Sequence, residues 1–119
     1  MNRLDKLRSR YLRDPLPVRL GGLAANLARV ASFSQDARHQ PMVVATLQES
    51  KWFIEWIAAE LEKPDTAELV RLQVQIAIWQ LQFAQKWQDN HWRSELALKC
   101  QQWSQRLLQM SGLQLSEKS

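Results

Sequence analysis

Four cations, Arg3, Lys6, Arg10 and Arg13, recur at helical spacing near the start of the chain. On a helix they form a short cationic stripe, which a phosphate backbone or an acidic surface would meet. Tyr11 lies close by and offers a ring for stacking. The net charge is +4, and residues 1–40 hold eight basic residues against three acidic ones, so nearly all the basic excess lies in the first third.

Groups for covalent or metal chemistry are scarce. Cys100 falls on one apolar helical face with Trp92, Leu96, Trp103, Leu107 and Met110, as a buried core thiol does. A nucleophilic thiol needs a histidine or a cation beside it, and nothing in the sequence brings His39 or His91 there. His39 sits in a polar loop and His91 near a helix start, where each reads as a surface or capping residue. No glutamate stands three residues before either histidine, so the di-iron bundle signature is missing. A glycine-rich phosphate loop, paired metal ligands and a nucleophile elbow are missing too. The sequence therefore predicts no catalytic residue, no cofactor and no metal.

Two further pairs invite a binding role. Gln73 and Gln80, one heptad apart, are either polar anchors in a pocket or buried amides that fix helix register. Trp52 and Trp56 share a helical face with Ala45 and Ala59, displaced from that helix's inner stripe. Covering one tryptophan removes about 200 Å² from water, on the order of 5 kcal/mol. Trp52 and Trp56 are therefore covered by the N-terminal helix of the same chain, or they face a partner. On the second reading Trp52, Trp56, Ala45 and Ala59 are the candidate interface.

These residues must be positioned by helices, because apolar residues recur at helical spacing and no strand pattern is present. Residues 2–13 form a short amphipathic helix through Leu4, Leu7 and Tyr11, ended by Asp14-Pro15-Leu16-Pro17. A second helix spans residues 17–33, or starts only after Gly21-Gly22; Gly21, Ala24, Ala25 and Ala28 give it a small face for close approach or docking. Residues 34–40 form a loop. A third helix runs from Pro41 to about Glu62, its inner face made of Val43, Val44, Leu47, Ile54, Ile57, Ala58 and Leu61. Lys63-Pro64 breaks it, and Asp65-Thr66-Ala67-Glu68 matches a capping box.

The longest pattern covers residues 69–87. Leu69, Leu72, Ile76, Trp79, Phe83 and Trp87 form one stripe, and Val70, Val74, Ala77, Leu81 and Ala84 a second. Two stripes call for neighbours on two sides and mark this helix as the hub. Residues 88–91 are a tight turn or part of one long helix, with the turn favoured because Asp89 and Asn90 cap helices well. The last helix ends near Ser111, and Gly112 fits the left-handed position beyond it.

The stretch Asp14-Pro15-Leu16-Pro17-Val18-Arg19-Leu20-Gly21-Gly22-Leu23-Ala24-Ala25-Asn26-Leu27-Ala28-Arg29, with Lys51-Trp52-Phe53-Ile54-Glu55-Trp56 downstream, resembles small uncharacterised all-helical proteins of cyanobacteria. That resemblance implies no activity, cofactor or site residue.

The expectation is an all-α, single-domain bundle of four to five helices over residues 1–112, with residues 113–119 a frayed tail. No apolar run approaches the roughly 18 residues of a membrane span, and no signal-peptide core follows Met1. The expected setting is the cytosol, without membrane contact. The expected role is a non-enzymatic protein–protein interaction module, self-associating as a homodimer. The alternative is a small nucleic-acid-binding or regulatory protein that uses Arg3, Lys6, Arg10 and Arg13.

Overall fold

The structure is a computed structural model, and it describes residues 2–112. Helix α1 (Arg3–Leu12) starts where the Asn2 side chain accepts the Asp5 amide at 2.8 Å. The Asp14-Pro15 step separates it from α2 (Leu16–Phe33), which carries Pro17 in its first turn. A 3-10 turn (Ala37–His39) opens where Asp36 accepts the Arg38 amide, and α3 (Gln40–Ala58) follows with Pro41 in its first turn. Helices α4 (Lys63–Lys86) and α5 (Asn90–Ser111) meet at a tight turn in which Asp89 accepts the amides of His91 and Trp92. The described residues thus form five helices and no strand, an all-α bundle. Gly112 ends α5 in the left-handed conformation, at φ +78°. The tail expected at residues 113–119 lies outside the described residues.

The centre of the bundle is α2, which packs between α3 and α5. Leu20, Leu23, Ala24, Leu27, Val30 and Ala31 are all buried. Alanine makes the α2–α5 approach close enough for the Ser104 hydroxyl to donate to the Ala24 carbonyl at 2.8 Å. Helix α2 also runs straight through Gly21-Gly22. Tyr11 lies over Gly22, so packing stabilises a turn that propensity alone would weaken.

The hub expected over residues 69–87 is instead a flanking helix. Its first stripe is buried as expected, with Leu69, Leu72 and Ile76 fully enclosed and Trp79, Phe83 and Trp87 nearly so. Its second stripe faces outward: Val70 is 48% exposed, Val74 55% and Leu81 85%. The two stripes lie on nearly opposite sides of the helix, and α3 and α5 reach only one of them. On α3, Val44 turns outward, while Ser50 and Phe53 join the buried face.

Helix α3 ends at Ala58, before the expected Glu62, and α4 begins at Lys63. Pro64 therefore starts a helix, because an early helical position needs no amide donor from it. The expected capping box does not form. Glu62, in extended conformation, holds the cap position without a side-chain bond, and Asp65 lies within the first turn. The Thr66 hydroxyl turns back instead, within reach of the Ala58, Leu61 and Glu62 carbonyls.

Two buried arginines fasten helix ends. Arg93 donates to the Ser34 carbonyl at 3.3 Å and the Trp87 carbonyl at 2.7 Å, so one cation sits at the C-terminal ends of both α2 and α4. It also donates to Asn90 and lies against the Trp87 ring. Arg19 donates to the Asp14 carbonyl and grips both carboxylate oxygens of Glu60, at 2.6 and 2.8 Å. That fork ties the start of α2 to the end of α3.

Candidate functional sites

Helix α1 is attached mainly at its far end. Tyr11 stacks on Phe53 of α3 at 3.8 Å between centroids and donates its hydroxyl to the Arg19 carbonyl at 2.6 Å. Trp56 leans against both rings at 6.0 Å. Exposure rises along the apolar stripe from Tyr11, 8%, through half-buried Leu7 to Leu4, 38%. The apolar stripe is therefore covered at its C-terminal end and open toward its N-terminus, where a wedge of about 470 Å³ lies between α1 and α3. Leu4 and Leu7 form one wall; Ala45, Gln48, Glu49 and Trp52 form the other, and Arg3 and Arg10 complete the lining. The volume falls within the range of roughly 300–1,000 Å³ usual for ligand pockets.

This cleft joins the two groups of residues that the sequence treats separately. Trp52 and Ala45 lie inside it. Trp56 is half-buried under Tyr11, and Ala59 is exposed beyond the end of α3. The cation stripe runs along its rim: Arg3, Lys6, Arg10 and Arg13 are all exposed, and among the described residues no carboxylate pairs with them. Glu49, on the opposite wall, is occupied by the Asn26 amide at 2.9 Å.

The outward face of α4 is the second candidate. Ala67, Val70, Val74, Ala77, Leu81 and Ala84 repeat at alternating spacings of three and four, the heptad rhythm of a coiled-coil seam. All are exposed except half-buried Ala77, and Ile78 beside them is 42% exposed. No charged residue occurs from Gln73 to Gln85, so the face is apolar and rimmed by glutamines. Periodicity shows this stripe, and the structure adds that no helix among the described residues covers it.

The remaining chemical groups are structural in their placement. Cys100 is fully buried, and burial pushes its thiol up to about 12, far from a reactive thiolate. His91 is exposed at the start of α5, and His39 sets its ring edge-on to Phe33. Gln80 accepts from Lys51 at 3.1 Å and donates to Gln48 at 3.4 Å, fastening α4 to α3. Among the described residues no group of His, Cys, Asp and Glu is placed to hold a metal ion. No described helix is long and apolar enough to cross a membrane.

No family model matches the chain, and neither the curated proteins nor the solved structures include a significant match. The sites therefore rest on their own geometry.

Proposed function

We propose that the protein is a non-enzymatic interaction module of the cytosol that works by self-association through the outward face of α4. The observation that carries this reading is the exposed heptad seam from Ala67 to Ala84. In a two-fold contact each residue of a face meets the same face of the second copy, so charge on it would repel. This face has none. Mixing Val and Leu with Ala lets large side chains of one copy seat over small ones of the other, with helix axes about 8–10 Å apart. The lone, buried Cys100 suits a reducing compartment.

Helix α4 has 24 residues, so it is about 36 Å long. A contact strip about 10 Å wide buries roughly 360 Å² per copy, about 720 Å² in all, below the roughly 1,000 Å² of a stable specific interface, so the dimer is a weak and reversible one. Sedimentation velocity across the micromolar range tests this directly. The wild-type sedimentation coefficient rises with concentration, and Leu81→Glu, which places a charge on the seam, holds the chain monomeric. A wild-type monomer throughout, or a dimer indifferent to Leu81→Glu, overturns the proposal.

A further inference from the structure

We infer that the cleft between α1 and α3 binds single-stranded nucleic acid, with phosphates on the α1 cations and a base against Trp52. Arg3, Lys6, Arg10 and Arg13 extend over about 15 Å of helix, enough to follow several successive phosphates of one strand. Their heads are exposed and unpaired by carboxylates among the described residues, so a polyanion would meet them without first breaking ion pairs.

Directly beside this stripe the wedge opens onto Trp52, with Arg3 and Arg10 lining stripe and cleft alike. A cationic track alongside an aromatic platform is how single strands are held: the backbone follows the charge while an unstacked base lies on the ring. The cleft is roomy enough for a base, and Leu4 and Leu7 give it an apolar second wall. A duplex fits less well, because its bases are stacked away from any such wedge. An acidic peptide would satisfy the arginines but has no use for the platform. Glu49 and Gln48 also line the cleft, on the α3 wall, and Glu49 is held there by the Asn26 amide at 2.9 Å.

The test uses the full chain with a fluorescein-labelled oligodeoxythymidylate of about 15 nucleotides. At low salt, anisotropy rises on binding and the affinity falls with a log–log salt slope of about −3, as expected for four phosphate contacts on a single strand. Arg3→Glu, Lys6→Glu and Arg10→Glu together abolish binding; their exposed, unpaired heads leave the helical circular-dichroism signal unchanged. Trp52→Leu keeps an apolar side chain but removes the platform. It weakens binding about 5- to 100-fold while the salt slope stays the same. Leu81→Glu on α4 leaves binding unchanged, which separates this site from self-association. The inference is overturned by any of four results: no binding at low salt, equal affinity for a duplex of the same length, equal competition by polyglutamate, or full affinity in Trp52→Leu.

Discussion

Ile76 is fully enclosed on the inner stripe of α4, one turn from Leu72 and Trp79 and two from Phe83. Truncating it to alanine removes buried methylenes and leaves a cavity that close-packed neighbours fill only in part. Ile76→Ala lowers the unfolding free energy by about 2–5 kcal/mol in urea denaturation. Arg71, on the exposed side, makes only a surface pair with Glu68 at 3.4 Å, and Arg71→Ala stays within about 0.5 kcal/mol. The reverse order would mean that α4 is rotated from its described phase. Glu60 gives a second residue-scale prediction. The Arg19 fork stabilises its charged form and holds its carboxyl below the ordinary glutamate value. In the unfolded chain that value returns, to about 4.3. The pair therefore stabilises the fold above that pH, and the contribution is lost as pH falls through the folded-state value. Thermal melts from neutral pH down to about pH 3 should fall less steeply for Glu60→Gln than for wild type. Asp36, held low by Arg38, titrates with the same sign in both proteins and so drops out of the comparison. At this scale apolar burial was legible: Cys100 and the Ile76 stripe follow from spacing alone. The buried roles of Arg19 and Arg93 were not, because their partners are backbone carbonyls and a carboxylate brought near only by the fold.

Gly22 sits inside α2, and a Cβ there would meet the Tyr11 ring at 3.7 Å, an ordinary contact. Gly22→Ala therefore gains helix propensity without a clash and raises stability by about 0.5–1 kcal/mol. Ala24 is 1% exposed where α5 comes closest, so Ala24→Leu forces the two helices apart and costs about 1–3 kcal/mol. The two substitutions in one helix should shift the denaturation midpoint in opposite directions. Element positions were largely legible because prolines, Asp89 and Gly112 mark them chemically. Rank among the elements was not. Hydrophobic periodicity shows which faces are apolar but not which are covered, so Leu81 counted toward a hub although it is 85% exposed. Helix α2 is central through Leu20, Leu23, Leu27 and Val30 with Ala24 and Ala31; of the small face expected on it only Ala24 is buried, while Ala25 and Ala28 are exposed. Pro64 was misplaced for a related reason: proline stops a helix that has begun and is tolerated in the first turn of one beginning.

For the molecule as a whole, self-association couples stability to concentration. A contact made only by folded chains stabilises the folded state by mass action. The melting temperature should therefore rise with protein concentration across the micromolar range for wild type and stay fixed for Leu81→Glu. A concentration-independent wild-type melt would contradict an α4 dimer. The candidate cleft was legible in its parts, since the cation stripe and Trp52 were both visible as residue types at helical spacing. Their union was not. It depends on how the fold sets α1 beside α3, through contacts such as the Tyr11–Phe53 stack, and no local pattern carries that.

That single stack also sets a clock. A helix of 10 residues fastened mainly through Tyr11 opens without the rest of the bundle opening with it. Its amide protons should trade with deuterated solvent well before those of α2, whose protection approaches that of global unfolding. Tyr11→Ala should speed the exchange of α1 while leaving α2 almost unchanged. Equal protection of the two helices would mean that α1 is held along its whole length. If α1 does come and go, it spends part of its time as a detached cationic arm. The cleft is then a gap that the chain repeatedly opens and closes, and an oligonucleotide seated in it would be read as a slowing of that exchange.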